Sequence, residues 1–368
     1  MDEPIVIVGG GLAGYQSAKE IRRLDGQVPI CLISSDGADF YSKPMLSNAF
    51  ASGKTPDSLI LKRASEMASE IGIEVIHERK VDAIHPESRE ISTGEGRMGY
   101  SKLVLALGAD PIRLPVEGEM YSVNDLLDYR KFRQALAGKR RIAILGAGLI
   151  GCEFANDLLS AGFEVDVFDI ASQPLGRLVP PECGEWIMKR MKGVGWHFNA
   201  SVTRFEEGRV HLADGSSHAA DVLLSAVGLV PRTKLALDAG LACGRGIRVN
   251  EFLQTSVGDI HAIGDCMEFE GMVLPFVMPI MHASKALASN ILGKEMKLAF
   301  PPMPVVVKTP LAPTVVCPPK PGLDGAWHTE GGEEGMKSLF LGEEGKMLGF
   351  CLCGKAVSEK NALARTLG

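Results

Sequence analysis

The sequence predicts an α/β fold, and a glycine-rich pattern that occurs twice carries that prediction. Gly-x-Gly-x-x-Gly stands at residues 9–14 and again at residues 146–151. Each copy follows a short apolar stretch, Ile5–Val8 in the first case and Ile142–Leu145 in the second. Such a stretch is typical of a buried parallel strand that runs into a tight turn and then a helix. Two copies on one chain therefore predict two Rossmann-like dinucleotide-binding domains.

Each glycine of the pattern has its own physical role. The first allows the tight turn, the second lets a pyrophosphate approach the backbone, and the third lets the helix pack closely against the strand. The pyrophosphate then lies against N–H groups at the positive end of the helix. The residues predicted to contact two dinucleotides in this way are Gly9, Gly11, Leu12, Ala13, Gly14, Gly146, Gly148, Leu149, Ile150 and Gly151. Two dinucleotides on one polypeptide indicate an electron relay from nicotinamide to flavin.

An acidic residue about 20 positions beyond the last glycine is the usual partner of a ribose hydroxyl. Asp36 and Asp169 occupy that place after the first and the second pattern. The alternative for Asp36 is an ordinary solvent-exposed turn. Asp169 favours NADH over NADPH, because its carboxylate would repel the additional phosphate of NADPH. Arg177, in the following loop, is the nearest cation and leaves the NADPH alternative open.

Composition and charge argue against several classes of function. The formal net charge is −6 and the isoelectric point about 5.8, which disfavours a nucleic-acid partner. Residues Met1–Pro4 lead into the first strand without a basic, apolar leader, and no apolar run reaches the roughly 18–20 residues that span a bilayer. We therefore expect a cytoplasmic protein that does not interact with a membrane.

The eight cysteines are scattered and lack C-x-x-C spacing, which is typical of reduced, buried thiols in a cytoplasmic chain. Cys351 and Cys353 would point to the same face of a strand, and packing is favoured over a metal site. The eight histidines also lack the spacing of metal ligands. No metal site is predicted.

The order of further motifs resembles that of the FAD- and NAD(P)-dependent pyridine-nucleotide reductases. These motifs are Leu107–Ala109, Glu153 after the second glycine pattern, Val227–Gly228 and Gly264–Asp265. The resemblance covers nearly the whole chain and implies that the protein binds FAD and NAD(H). Together with a proline-rich boundary at residues 301–304, it implies three domains. They are an FAD domain of residues 1–114 and 240–296, an NAD domain of residues 115–239 that interrupts it, and a small α+β C-terminal domain of residues 297–368.

The resemblance also implies which residues take part in the chemistry. Asp265 would bind the ribityl chain of the flavin, and Lys43 and Lys308 would contact the flavin, where a cation stabilises its reduced, anionic form. Glu153 is expected near the nicotinamide, interacting with Lys43. A first-turn acid that only favours its helix is the alternative for Glu153. The predicted catalytic residues are thus Lys43, Lys308 and Glu153, and the other predicted cofactor contacts are Pro44, Ala106, Gly108, Gly228 and Pro279, which lies near the positive end of a helix aimed at the flavin.

Disulfide reductases of this family carry a redox-active cysteine pair, and some relatives use a single cysteine in the region of residue 42. Residues 35–75 of this chain contain no cysteine, and the inserted domain has only Cys152 and Cys183. Cys152 follows the second glycine pattern and is expected to pack against the sheet. A thiol relay is therefore absent, and we expect electrons to leave the flavin directly for a one-electron iron protein.

More closely, the chain resembles the rubredoxin–NAD reductases. The segments that carry this resemblance are Tyr41–Ser47, Leu149–Leu158 and Val307–Pro310. It implies electron transfer from NADH through FAD to rubredoxin, as in alkane hydroxylation or oxygen detoxification. Rubredoxins are typically acidic, so docking is expected at basic residues such as Lys43, Lys308 and Lys320. The short C-terminal domain favours a monomer.

Three alternatives stay open at this point. The acceptor could be a ferredoxin or a flavorubredoxin, which the sequence distinguishes poorly from rubredoxin. An NADH oxidase that forms hydrogen peroxide would be a slow side activity, because the cysteine that reduces peroxide is missing. A redox-sensing NADH-binding protein, related to apoptosis-inducing factor, would need long insertions or a basic nucleic-acid surface, and the chain has neither.

Overall fold

The computed structural model describes residues 3–320 and 322–367. The expectation drawn from Met1–Pro4 therefore rests partly on residues outside this range. Contacts between Cα atoms divide the chain into two compact units, each assembled from three segments. The first unit comprises residues 1–42, 57–110 and 229–300, and the second comprises residues 43–56, 111–228 and 301–368.

The α-helices vary from one to four turns. In chain order they are α1 (Leu12–Leu24), α2 (Ala64–Ile71), α3 (Leu126–Ala135), α4 (Leu149–Ser160), α5 (Pro181–Arg190), α6 (Lys234–Asp238), α7 (Val277–Ile291) and α8 (Lys360–Thr366).

The strands are mostly short. In chain order they are β1 (Ile5–Val8), β2 (Ile30–Ile33), β3 (Phe40–Tyr41), β4 (Ile60–Lys62), β5 (Glu74–Ile76), β6 (Val81–His85), β7 (Glu90–Thr93), β8 (Gly96–Gly99), β9 (Lys102–Leu105), β10 (Ala109–Pro111), β11 (Tyr121–Ser122), β12 (Arg141–Leu145), β13 (Glu164–Asp169), β14 (Val194–Phe198), β15 (Val202–Glu206), β16 (Arg209–Leu212), β17 (Ser217–Ala219), β18 (Val222–Ser225), β19 (Leu229–Pro231), β20 (Ile247–Val249), β21 (Ile260–Ala262), β22 (Met267–Phe269), β23 (Val305–Val307), β24 (Thr314–Cys317), β25 (Ala326–Gly332), β26 (Gly335–Leu341) and β27 (Met347–Gly354).

The first unit is built around a parallel sheet in the order β21-β9-β1-β2-β5. All four residues of the central strand β1 are buried, which explains why it reads as an uninterrupted apolar run. Helices α1 and α7 pack against each other in this unit. An antiparallel sheet of β6, β7 and β8 is attached to it.

The second unit repeats this plan with a parallel sheet in the order β11-β18-β12-β13-β14. Strands β15, β16 and β17 form an antiparallel sheet. The predicted α/β class with two Rossmann-like halves is confirmed. In both halves the glycine pattern lies between the first strand of the half and the helix that follows it.

The C-terminal part of the second unit is an antiparallel sheet in the order β23-β24-β27-β26-β25. Its two faces enter different cores because side chains alternate along a strand. On β27, Cys351 and Cys353 belong to the core that also contains α4 and α5, whereas Phe350 and Leu352 lie in a small core beneath α8. The sheet with its short helices fits the predicted α+β character of this region.

Element boundaries agree closely with the periodicity of the sequence where a strong signal marks them. Helix α1 begins at Leu12, directly after Gly11, as the glycine pattern predicts, and Asp125 caps α3 by accepting a hydrogen bond from the Asp128 N–H at 2.8 Å. After Tyr41 the chain forms a 3₁₀ helix over Lys43–Asn48. Residues 43–56 group with the second unit, while the predicted boundaries of the three domains stay a prediction.

One buried histidine makes the stability of the first unit depend on pH. His261, on the edge strand β21, is 1% exposed, and its Nδ1 has no hydrogen-bond partner within the described chain. Burial lowers the pKa of His261 to about 4, and the charge of Lys102 acts in the same direction. Between pH 6.5 and about 4 the unfolded chain therefore binds a proton that the folded chain does not bind.

We expect the free energy of unfolding to fall by about 2 kcal/mol between pH 6.5 and 5.0 through this residue. His261→Leu should remove that part of the pH dependence, measured as the change of the thermal midpoint between the two pH values. His77→Leu, at a side chain that is 56% exposed, is the matched control and should keep the wild-type pH dependence. An unchanged pH dependence in His261→Leu would contradict the assignment.

Candidate functional site

The first glycine turn is shaped by close backbone approaches. Gly9 has a φ of +128°, and a Cβ atom there would overlap the carbonyl group of Ala106. A Cβ atom at Gly14 would overlap the carbonyl oxygen of Gly9, so α1 can start this close to β1 only with glycine. At Gly11, by contrast, a Cβ atom would meet nothing within 4 Å. This open space in front of the helix N-terminus fits a pyrophosphate.

The second glycine turn has the same geometry. Gly146 has a φ of +98°, and a Cβ atom at Gly151 would overlap the carbonyl oxygen of Gly146. The space at Gly148 is open. In both turns the second glycine is the N-cap residue of the helix and no side chain of the described residues caps it, so the helix N–H groups face the open space. The residues present therefore fit two dinucleotides, one in each unit.

A polar side chain at the end of the second strand supports each turn. In the first unit the Gly10 N–H donates to Ser34 Oγ at 3.2 Å, and in the second the Ala147 N–H donates to Asp169. Because Gly9 and Gly146 donate to the carbonyls of Ile33 and Phe168, Ser34 and Asp169 are equivalent positions. The sequence argument missed Ser34, because Ser34 follows the first glycine of its pattern by 25 residues and Asp169 follows its own by 23, so that the two positions do not align along the sequence.

The two predicted ribose acids consequently have different surroundings. Asp36 lies two residues beyond Ser34, and its Oδ1 accepts hydrogen bonds from the Ser34 hydroxyl at 2.6 Å and the Ala38 N–H at 3.0 Å. It is exposed, as a ribose partner needs to be. Asp169 is half-buried, and both of its oxygens accept backbone N–H groups, from Ala147 and Ala171. Each carboxylate oxygen can still accept a second hydrogen bond, for example from a ribose hydroxyl.

Three predicted cofactor segments meet in the first unit. Ala106 directly follows β9, and its N–H donates to the Val8 carbonyl at 2.9 Å, which places it beside the first glycine turn. Gly264 has a φ of +82°, and a Cβ atom there would lie 2.9 Å from the Cβ of Ala13. Asp265 is half-buried at this contact. The glycine turn, Ala106 and Gly264–Asp265 therefore line one region at the start of α1.

Other predicted residues lie at turns or in the interior. Gly108 and Gly228 both have positive φ angles, of +73° and +115°. The Gly108 carbonyl accepts the Arg232 N–H at 3.0 Å, and the Arg232 side chain donates to Asp110 and to the Leu107 carbonyl. Arg232 thus fixes the turn at 107–110, a role that sequence reasoning missed. Pro279 is buried in the first turn of α7.

A buried carboxylate joins the predicted catalytic residues of the second unit. Glu153, in the second turn of α4, is 1% exposed and forms an ion pair with the Lys308 ammonium. Its Oε1 accepts the Lys308 backbone N–H at 3.0 Å, and its Oε2 accepts the Ser47 hydroxyl at 2.6 Å. Lys308 Nζ also donates to Ser47 Oγ at 3.2 Å. Sequence reasoning paired Glu153 with Lys43 and missed Ser47, whereas the structure provides Lys308 as its ion-pair partner.

Lys43 and Pro44 begin the 3₁₀ helix Lys43–Asn48 and are half-buried. The segment behind them is attached to α4, because Asp157 accepts the N–H groups of Phe50 and Ala51 at 2.9 and 3.0 Å. Burial raises the pKa of Asp157, which is 2% exposed. This attachment explains why residues 43–56 belong to the second unit.

Cys152, Cys351 and Cys353 lie as the sequence predicts, and Cys183 adds a contact that the sequence did not predict. Cys152 is fully buried, its thiol donates to the Ala147 carbonyl at 3.3 Å, and burial raises its pKa, as expected for a packing residue. Cys351 and Cys353 do lie on one face of β27. Cys183 joins them there, and this was not predicted because it is remote in the sequence.

The helices of the described residues were also searched for membrane spans. None of them is both long enough and apolar enough to cross a bilayer.

Comparison with known proteins places this geometry in context. Residues 3–289 match the family described as pyridine nucleotide-disulphide oxidoreductase, and residues 297–367 match the rubredoxin binding C-terminal domain. The chain is 43% identical to a rubredoxin-NAD(+) reductase of Alcanivorax borkumensis, over 99% of this chain and 98% of that protein. It is 37% identical to a nitric oxide reductase FlRd-NAD(+) reductase of Aeromonas hydrophila, over 99% and 96%.

A solved structure shows the same fold. The crystal structure of a ferredoxin reductase from Rhodopseudomonas palustris superposes with a TM-score of 0.89 at 27% sequence identity. The superposition covers 98% of this chain and 93% of that chain.

The Glu153 cluster predicts a specific pattern of stability loss. Glu153→Ala would leave the Lys308 ammonium without its buried partner and should lower the free energy of unfolding by about 3 kcal/mol. Ser47→Ala removes one hydroxyl hydrogen bond and should cost about 1 kcal/mol. The measurement is urea unfolding followed by tryptophan fluorescence, since all three tryptophans, Trp186, Trp196 and Trp327, belong to the second unit.

Lys355→Met is the matched control. It breaks the ion pair with Glu334, in which both side chains are 77% exposed, and should leave the urea midpoint nearly unchanged. Equal midpoints for Glu153→Ala and Lys355→Met would show that the buried pair does not stabilise the second unit.

Proposed function

The chain belongs to the pyridine nucleotide-disulphide oxidoreductase family, and from that premise we propose that it is an FAD-dependent rubredoxin–NAD(+) reductase. The observation that carries the proposal is the match of residues 297–367 to a rubredoxin-binding domain, which follows the oxidoreductase match of residues 3–289. The full-length similarity to a rubredoxin-NAD(+) reductase supports the same activity. Electrons pass from NADH through FAD to rubredoxin.

Each glycine turn holds one cofactor. We assign FAD to the turn of the first unit, with Ala106 and Asp265 beside it, and NADH to the turn of the second unit. The chemistry of bound FAD is to take a hydride from NADH and to release its electrons singly to an iron protein. The protein supplies binding and orientation: the glycines admit each pyrophosphate, and the helix N-termini offer N–H groups to its charge. Asp36 and Asp169 are the proposed ribose partners, and the carboxylate of Asp169 favours NADH.

In this proposal Glu153 is a positioning residue for the side chain of Lys308. By accepting both the backbone N–H and the ammonium of Lys308, it holds that side chain in one orientation, and Ser47 adds a further hydrogen bond. Contact of Lys43 and Lys308 with the flavin is inferred from the family resemblance and stays a prediction, as do the contacts proposed for Pro44, Gly108, Gly228 and Pro279.

Several finer points belong to the same proposal. The protein would act in the cytoplasm as a monomer and serve alkane degradation or oxygen detoxification. A flavorubredoxin is the second candidate acceptor, because the Aeromonas hydrophila protein is named as an FlRd-NAD(+) reductase. The sequence lacks the cysteine pair of the disulfide reductases, so a thiol relay between FAD and the acceptor is not part of the mechanism.

The decisive experiment is anaerobic stopped flow with the FAD-loaded protein. Mixing with NADH and oxidised rubredoxin should bleach rubredoxin rapidly, at a rate at least tenfold above that with ferredoxin. Flavin that is reduced by NADH while rubredoxin stays oxidised would preserve the fold and cofactors but refute this acceptor.

The same experiment at rising ionic strength tests electrostatic docking. The rate of rubredoxin reduction should fall as salt rises beyond about 0.1 M, because the screening length there is only roughly 10 Å. A rate that does not change with salt would exclude docking through basic residues such as Lys43, Lys308 and Lys320.

A pair of glycine substitutions tests the NADH site. Gly148→Ala adds a methyl group in open space, so the fold should persist while the KM for NADH rises at least fivefold. Gly151→Ala places a Cβ atom on the Gly146 carbonyl oxygen and should lower the thermal midpoint as well. Gly26→Ala, also in open space and beyond the C-terminal end of α1, is the neutral control. An unchanged KM in Gly148→Ala would contradict the placement of the pyrophosphate.

A further inference from the structure

Three thiols meet in the core of the second unit. The Sγ atoms of Cys183, Cys351 and Cys353 all lie within 4.8 Å of one another, and the three side chains are fully buried. The proposed electron transfer does not use them. Three converging sulfur atoms form the only group of three or more potential metal ligands that occurs in the described part of the chain.

Two rules of local geometry create the cluster. Cys351 and Cys353 alternate along β27, so their side chains share a face. Cys183 is the third residue of α5, which packs against β27 and β26. On the neighbouring strand β26, Ser338 pairs with Cys351. The cluster therefore joins the nucleotide-binding part of the unit to its C-terminal sheet.

Buried hydroxyl groups face the sulfur atoms. Ser338 Oγ lies 3.2 Å from Cys183 Sγ and also contacts Thr329 Oγ1 at 2.8 Å. The Thr314 hydroxyl lies 3.8 Å from Cys353 Sγ. Ser338 and Thr314 are 0% and 1% exposed, and the Thr314 hydroxyl also donates to the Ala312 carbonyl at 3.0 Å. The three sulfur atoms therefore lie beside buried polar groups.

Cys183 lies in the first turn of α5, and the positive end of that helix favours negative charge on its sulfur atom.

The number and type of ligands limit what the cluster can hold. Sulfur ligands select soft, thiophilic ions. A structural zinc site is closed by four ligands, whereas within the described residues no fourth cysteine, histidine or carboxylate joins this group. Metal–sulfur bonds of about 2.3 Å place the sulfur atoms of a three-coordinate complex at most roughly 4 Å apart. The three Sγ atoms lie within 4.8 Å of one another, so small shifts of the side chains would close the site. The geometry thus suits an ion that is saturated by three sulfur atoms.

We propose that Cys183, Cys351 and Cys353 form a binding site for a thiophilic ion with three sulfur ligands, namely trivalent arsenic or Cu(I). With arsenic, three thiols condense with As(OH)₃ to give a neutral As(S-Cys)₃ group and three water molecules, so neither an oxidant nor a reductant is needed. With Cu(I), three thiolates would leave two negative charges and release three protons to solvent. Because an uncompensated buried charge is costly, the neutral arsenic complex suits this core better than the Cu(I) complex with its two negative charges.

Binding is tested on the full-length, FAD-loaded protein after anaerobic thiol reduction and removal of the reductant. Arsenite, Cu(I) and Zn²⁺ are added separately, and bound metal per protein is measured after gel filtration. We expect one equivalent of arsenic, with three sulfur neighbours by X-ray absorption, and a rise in the thermal midpoint since the ion links α5 to β27. Zn²⁺ should bind at least tenfold more weakly than arsenic.

Single substitutions locate the site. Cys183→Ala, Cys351→Ala and Cys353→Ala should each weaken arsenic binding at least tenfold. Cys317→Ala is the matched control, because Cys317 is a buried thiol on β24 that belongs to the other core of the same sheet. It should bind arsenic like the wild type.

Three results would overturn the proposal. They are the absence of stoichiometric arsenic or Cu(I) binding, wild-type binding by a variant that lacks one of the three thiols, and Zn²⁺ binding as tight as that of arsenic. If a cysteine variant does not fold, the count of sulfur neighbours in the wild-type protein still decides, and fewer than three would refute the site.

Discussion

A buried carboxylate on helix α4 ties together segments that are far apart in the sequence. Glu153 accepts hydrogen bonds from Ser47 and from Lys308, which belong to the first and last segments of the second unit. About one turn further along α4, Asn156 accepts the Leu311 N–H at 3.0 Å, and Asp157 accepts the N–H groups of Phe50 and Ala51. A single helix thus offers three buried polar side chains to the segments on either side of it. Each is satisfied, as the low dielectric of a core requires.

This arrangement gives the helix that follows the second glycine turn two functions. Its N-terminus faces the open space proposed for the NADH pyrophosphate, while its buried polar residues position the segments that contain Lys43 and Lys308. The glycine at position 151 allows the helix to lie close enough to β12 for the first function, and Glu153 only two residues later begins the second. A change in this short stretch would therefore affect nucleotide binding and the proposed flavin-contacting lysines together.

The two glycine turns have the same backbone geometry but are supported by different polar side chains. Both turns depend on overlaps that only glycine avoids, and both are supported by a side chain at the end of the second strand. In the first half that side chain is the neutral Ser34, with Asp36 attached to it, whereas in the second it is the charged Asp169. A repeated fold with different polar groups at the ribose end suits two different dinucleotides, as the family match indicates.

Sequence alone determined the α/β class and both glycine turns with the helix that follows each, because glycine sterics and hydrophobic periodicity act between residues that are neighbours along the chain. The resemblance added Glu153, Lys43 and Lys308 as individual residues. Only the tertiary structure decided that Glu153 pairs with Lys308, that Ser47 and Ser34 take part, and that Cys183 meets Cys351 and Cys353. These contacts join residues separated by up to 261 positions along the chain, and packing sets such distances while local pattern does not.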